Sequence, residues 1–271
     1  MATRAPVTLS SFEHRTDCGE AAGRDRWTVR VVNAWVRSAL PSLLAADRDG
    51  AVLDVGCAEQ PFRRLIESSG RRYVGMDVVQ NSNRTVDVLS TLEGAPSPGQ
   101  VYPLILCTEV LEHVADIDAA FAGLRRLIAN GGAVVLTVPF VFPLHMEPYD
   151  FRRLTLHGVQ RLAADHGFAV EAATPLGGLP VVLATLITDA SILPASRSWY
   201  AKAKVGVLRL AVAAVVRRPS WCSSRRSACS MSFWLLREPR DIQSFSRSSS
   251  IMAPRMRCVA KVSNCTPCAT S

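Results

Sequence analysis

The residues best placed for chemistry are acids that follow short apolar runs. Asp54 lies two residues before Gly56 in the segment 53–61 (LDVGCAEQP), at the end of the apolar run 51–55. Glycine has no Cβ, so a Gly56–Cys57 turn after a strand lets the backbone approach a ligand closely. Asp77 ends the run 72–76 (RYVGM), 21 residues after Gly56. An acid about 20 residues on, at the end of a second strand, is placed to accept hydrogen bonds from ribose hydroxyls. Asp is also a common turn residue, but spacing and strand context together favour the ribose role.

Those acids need elements to hold them, and the chain supplies the pattern. Helical spacing of Trp27, Val31, Ala34, Trp35 and Leu40 predicts a helix over 26–44, interrupted near Pro41. Strands are expected at 51–55, 72–76, 101–107, 133–138 and 168–172, with a short extended segment at 85–89. Helices are expected at 62–68, 117–129 and 155–166, the second closed by Asn130, Gly131 and Gly132. Alternating strands and helices imply βαβ units, and near-continuous apolar strands imply a sheet covered on both faces. The fold class is therefore α/β: a doubly wound, mainly parallel sheet with helices on both faces. Ligands of such sheets bind beyond the carboxyl ends of the strands.

Residues 51–139 resemble the core of class I S-adenosylmethionine (SAM)-dependent methyltransferases, particularly the type 11 group, a Rossmann-like methyltransferase fold. The resemblance rests on 52–57 (VLDVGC), 73–77 (YVGMD), 106–114 (LCTEVLEHV) and 126–139 (RLIANGGAVVLTVP), in matching order and spacing. It continues more loosely to about Gly178. It implies SAM as cofactor, with Asp54 and Gly56 of the Gly56–Cys57 turn at its methionine end and Asp77 on its ribose. Asp87 would sit beside the adenine, and Cys107, Thr108 and Glu109 would line the sulfonium. An ammonium, a sulfonium and two ribose hydroxyls all suit carboxylate surroundings. Glu112 and His113 either serve the site or start a helix and pack below it, the packing reading being favoured for His113. The chain departs from the family at Ala58, where glycine is usual.

Methyl transfer from a sulfonium is an in-line displacement governed largely by positioning. A hydroxyl acceptor also needs its proton removed. The segment after 133–138 offers His145, Glu147, Tyr149 and Asp150, with Arg152 as an anion clamp. His145, as base, and Asp150 are the expected catalytic residues; a purely structural, hydrogen-bonded loop is the competing reading. The acceptor is expected to be a small molecule or a sugar- or lipid-linked hydroxyl. A nicotinamide dehydrogenase would need G-x-G-x-x-G, where this chain has Gly56, Ala58 and Pro61. The alternatives are a non-catalytic module of the same fold and, further off, an RNA methyltransferase.

Charge divides the chain. Residues 217–271 hold ten Lys/Arg against two Asp/Glu, a balance of +8, which leaves 21 of each sign in residues 1–216. The neutral core gives no footprint for nucleic acid. Four regions are expected: a flexible N-terminus over 1–25, the SAM-binding domain over 26–180, apolar helices over 181–216, and a basic tail over 217–271. Thirteen of the tail's 55 residues are Ser, and it shows no amphipathic period, so disorder or even a shifted reading frame is expected there. Cys265 and Cys268 form the one C-x-x-C pair, with no second pair or nearby His for zinc; no metal is expected. No secretory signal or bilayer-spanning run is evident, so the expected location is cytoplasmic. Residues 199–216 offer a peripheral membrane contact as a secondary expectation.

Overall fold

The structure is a computed structural model of the chain, and it describes residues 26–45, 50–95, 100–188 and 231–237. All of these belong to a compact unit, Met1–Arg240; a second unit, Asp241–Ser271, lies outside the described residues. The elements run α1 (Arg26–Leu44), β1 (Val52–Val55), α2 (Arg63–Ser68), β2 (Tyr73–Asp77), β3 (Val88–Leu89), β4 (Tyr102–Thr108), a 3-10 turn (Leu111–His113), α3 (Ile117–Leu127), β5 (Ile128–Pro139), α4 (Leu156–Asp165), β6 (Ala169–Leu176), α5 (Gly178–Thr188) and β7 (Met231–Arg237). One sheet joins all seven strands in the order β3-β2-β1-β4-β5-β7-β6. Strands β1 to β5 are parallel, while β7 runs antiparallel between β5 and β6. The expected doubly wound α/β class is the one observed.

The two-residue period of the strands builds two cores. Leu53, Val55, Ile105, Cys107, Val134 and Leu136 face one side, where Ala120, Phe121 and Leu124 of α3 and Val159 and Ala163 of α4 cover them. Val52, Leu104, Leu106 and Val135 face the other, covered by Val32, Val36, Leu40 and Leu44 of α1 and Ile66 of α2. The α1 stripe recurs every four residues, so one helix face meets the sheet. Helix α1 runs through Pro41 to Leu44. Helix α5 lies against α1, with Val181 and Ala184 on Trp27 and a buried Thr28–Thr185 hydroxyl contact of 3.3 Å.

Two expectations are corrected. Gly131 and Gly132 do not close α3, which ends at Leu127; both lie within β5. The β4–β5 register shifts between Tyr102 and Leu104, Gly131 has φ +66°, and a Cβ on Gly132 would come within 2.7 Å of the Ala129 carbonyl oxygen. The glycines serve an irregularity at the start of a strand, where an extra residue must be absorbed. The basic tail also does not begin the unstructured part at 217: Met231–Arg237 is a full interior strand, its Leu236 is fully buried, and Arg237 pairs with Glu171 of β6. The expectations for 1–25, for the run 205–216 within the 199–216 membrane contact, and for Cys265 and Cys268 lie outside the described residues. Among the described residues, no helix is long and apolar enough to cross a membrane.

Candidate active site

A cavity of about 340 Å³ opens at the carboxyl ends of β1, β2 and β4, on the α3 side of the sheet. That volume suits a small-molecule ligand, and the position is where a doubly wound sheet binds one. Its walls are Val55 and Gly56 after β1, Met76 to Val78 after β2, Ser90 to Glu93 after β3, Glu109 and Val110 after β4, and His113 to Asp116 leading into α3. Asp77, Glu93, Glu109 and Asp116 contribute four carboxylates to this lining, which holds no Lys or Arg. Such a wall favours a cation.

Asp77 sits as its spacing predicts. One carboxylate oxygen accepts from the Ala58 amide at 2.8 Å and the other from the Val78 amide at 2.7 Å. The same oxygen that takes the Val78 amide also takes the Val79 amide, at 3.5 Å. Gly56 is fixed by sterics twice over: its φ is +67°, and a Cβ there would come within 2.4 Å of Val110 Cγ2. Ala58 takes φ +46° in the same turn, a conformation costly for any residue with a Cβ. Its side chain is not part of the cavity lining.

The expected convergence of Asp54, Asp77 and Asp87 does not occur; of the three, only Asp77 lines the cavity. Asp54 alternates with Val55 along β1, so it faces the α1 side and is buried there. Its carboxylate accepts from the Tyr73 hydroxyl at 2.6 Å. Burial raises its pKa to about 7, the Tyr73 bond works against this, and the Asp77 charge adds to it. Asp87 is exposed and accepts from the Gly75 amide at 2.8 Å, so it holds the β2 edge. Gln60 and the Cys57 thiol fill the space a Cβ on Gly75 would take, at 2.7 and 2.9 Å, which keeps Cys57 out of the lining as well. Cys107 is fully buried in the core and its thiol is pushed up by burial. Thr108 pairs in register with Thr137 and is also outside the lining. From the expected cofactor set, Gly56, Asp77 and Glu109 reach the cavity.

At the end of β4, Glu109 adopts φ +55°, and its amide donates to Thr137 while the Thr137 hydroxyl donates back to its carboxylate at 2.8 Å. Three residues on, Glu112 is buried and neither of its carboxylate oxygens has a hydrogen-bond partner. Burial and then the Glu109 charge hold the Glu112 carboxyl well above its ordinary range.

The loop after β5 folds back over this turn. Arg153 staples it by donating to both oxygens of Asp150 and to the Phe142 and Pro143 carbonyls. Asp150 also accepts from the His145 amide at 3.1 Å, and its carboxylate lies 3.1 Å from His145 Nδ1. Burial pushes Asp150 up, but Arg153 and His145 outweigh it and hold the carboxyl below its usual range. The Phe151 amide donates to the Glu112 carbonyl, and His113 Nδ1 bonds the Tyr149 carbonyl at 2.8 Å. The His113 and His145 rings lie 4.7 Å apart. Thus the expected catalytic pair, His145 and Asp150, is in contact and beside the cavity residues His113 and Met146. Arg152 donates to the Ala115 carbonyl at 2.9 Å and Arg153, not anticipated, does the organising.

The strand order, with one antiparallel strand slotted in next to the last, and the acid-lined cavity define a class I methyltransferase. A family model described as a methyltransferase domain matches residues 29–173, more than half of the chain. The chain belongs to this family: it is a methyltransferase of the class that uses SAM as its methyl donor. No curated protein matches the sequence. Among solved structures it is similar to the [4+2]-cyclase SpnF, at 17% identity over 82% of this chain and 86% of that one, TM-score 0.51. It is also similar to 1,6-didemethyltoxoflavin-N1-methyltransferase of Burkholderia thailandensis, at 14% identity over 79% and 81%, TM-score 0.50. A third is phosphoethanolamine N-methyltransferase 2 of Haemonchus contortus bound to SAM, at 14% identity over 86% of this chain and 60% of that one, TM-score 0.50. At these identities the likeness speaks for the fold.

Proposed function

We propose that the protein transfers the SAM methyl group to a hydroxyl of a small molecule or of a sugar- or lipid-linked acceptor. The observation that carries the reading is the cavity at the strand ends, lined by four acidic side chains and no Lys or Arg. Asp77 accepts from the ribose hydroxyls, Gly56 lets the backbone approach the methionine end, and the carboxylates of the wall favour the ammonium and the sulfonium. His145 serves the acceptor side. Its Nδ1 lies beside Asp150 and the Pro143 carbonyl, both acceptors, so Nδ1 serves as the donor that fixes the ring and Nε2 is the nitrogen left for the acceptor. The fold by itself does not select the reaction, as the cyclase among its neighbours illustrates.

Calorimetric titration with SAM, S-adenosylhomocysteine and NAD tests the donor site. SAM and its product are expected to bind and NAD is not; binding of NAD in preference to SAM would overturn the reading. Asp77→Asn is expected to weaken SAM about tenfold or more, since a hydrogen bond to a charged group contributes about 1.5–3 kcal/mol. Transfer of label from methyl-labelled SAM into fractionated cell extract then identifies the acceptor.

A further inference from the structure

We infer that Glu112, His113 and His145 form a binding site for one divalent transition-metal cation at the acceptor end of the cavity. The three side chains each present a ligand atom, and these atoms lie within 4.8 Å of one another. Glu112 and His113 come from the turn after β4 and His145 from the loop after β5, and the Phe151 amide bond to Glu112 holds the two segments together.

Two observations make this more than a cluster. The first is Glu112, which is 1% exposed and has both carboxylate oxygens without a hydrogen-bond partner. A buried carboxyl left in that state costs free energy, and a cation would use both the charge and the lone pairs. One of those oxygens stands 3.7 Å from His113 Nε2, so it is aimed at the imidazole and not away from it.

The second is the state of the two rings. His113 Nδ1 lies 2.8 Å from the Tyr149 carbonyl, and His145 Nδ1 lies 3.2 Å from the Pro143 carbonyl and 3.1 Å from the Asp150 carboxylate. All three partners are acceptors, so each ring uses Nδ1 as its donor and leaves Nε2 as the nitrogen a cation would take. Metal-bound histidines show this arrangement, with the second ring nitrogen donating to a carboxylate or a carbonyl that fixes tautomer and orientation. Asp150 is itself fixed by Arg153. Metal–ligand bonds here would be about 2.0–2.2 Å, so ligand atoms already within 4.8 Å need only small side-chain rotations. Two imidazoles and one carboxylate select cations such as Zn²⁺, Co²⁺, Mn²⁺ or Fe²⁺ over Mg²⁺ and Ca²⁺, which prefer all-oxygen shells.

The inference rests on the methyl-transfer reading for its consequence, though not for its test. His113 lines the donor cavity, so a cation held by it would lie beside the place where an acceptor meets the methyl group. A hydroxyl bound there loses its proton to water more readily. The oxygen then attacks the methyl carbon, the C–S bond breaks with its electron pair going to sulfur, and S-adenosylhomocysteine and the methyl ether result. The His145 Nε2 lone pair thereby acts on the acceptor through the cation.

Titration of the full-length protein with Co²⁺ alone, without SAM or acceptor, tests the site by visible absorption and calorimetry. One equivalent is expected to bind with cobalt d–d bands and no thiolate-to-cobalt charge-transfer band. Glu112→Gln, which keeps the side chain's shape, and His145→Gln are each expected to weaken binding at least tenfold. Absence of cobalt uptake, a thiolate band, or unchanged affinity in both variants would overturn the site. SAM titration of the same wild-type sample reads the donor site separately, so either result can fail without the other.

Discussion

The Asp54 carboxyl is the group whose placement departs most from what its neighbours in the chain imply. Burial lifts its pKa to about 7, against about 3.9 in an unfolded chain. A carboxyl with a raised folded pKa binds its proton more tightly in the native state. Its effect is therefore absent below about pH 4, grows as the pH rises because the unfolded chain ionises first, and levels off above about pH 7. Denaturant midpoints measured between pH 4.5 and 7.5 should fall with rising pH, and Asp54→Asn should remove part of that slope. A variant with the wild-type slope would show that Asp54 titrates normally. Ala58 offers a second measurement. Its left-handed backbone costs about 1–2 kcal/mol with a Cβ present, and glycine gives back about 0.4–1 kcal/mol through a freer unfolded chain. Ala58→Gly is thus expected to raise Tm by about 1–3 °C, with SAM affinity unchanged by calorimetry because the Ala58 side chain is off the cavity wall. Of the site, Asp77 and Gly56 were legible from spacing. Asp54 departs from the expectation because a two-residue period sends it and Val55 to opposite faces of the sheet. Glu112 and His145 lie 33 positions apart, and no local pattern brings them together.

Among the elements, the loop from Phe140 to Thr155 depends on one side chain. Arg153 bonds Asp150 and two carbonyls, and through Asp150 it orients His145. Arg153→Met breaks an ion pair in which Asp150 is buried and Arg153 partly exposed, at an expected cost of about 2 kcal/mol. Limited proteolysis should cut within 142–151 faster than in the wild type, while SAM affinity falls less than in Asp77→Asn, since Met146 is the loop's one residue in the cavity wall. Equal protease resistance would show that the loop is held elsewhere. Strands β1, β2, β4 and β5 and helices α1 to α4 could be read from apolar runs and helical spacing. The start of β5 could not, because two consecutive glycines look like a helix stop until the β4 register shows that they absorb a bulge.

For the whole molecule, the division of charge along the chain led to a boundary at 217 that the sheet does not respect. Met231–Arg237 is a strand of seven residues in a basic, Ser-rich neighbourhood, too short for its pattern to stand out. It pairs with β5 along its full length and is the strand on which β6 depends for its place in the sheet. Truncation after Arg240 is expected to leave Tm within about 2 °C of the full chain, because the compact unit ends there. Truncation after Thr188 removes β7 and should abolish a single cooperative transition by circular dichroism. Equal Tm values for the two truncations would show that β7 contributes nothing to the unit.

The late position of β7 also orders events during synthesis. A growing polypeptide can assemble β1 to β5 as those segments leave the ribosome, but the outer rim of β5 stays unsealed until residue 237 has been translated. Until then it is an open ladder of amides and carbonyls to which a neighbouring nascent chain could add. Message damage or stalling upstream of codon 231 would therefore release a product prone to clumping, and cellular surveillance would meet it as a solubility problem before any missing catalysis was felt.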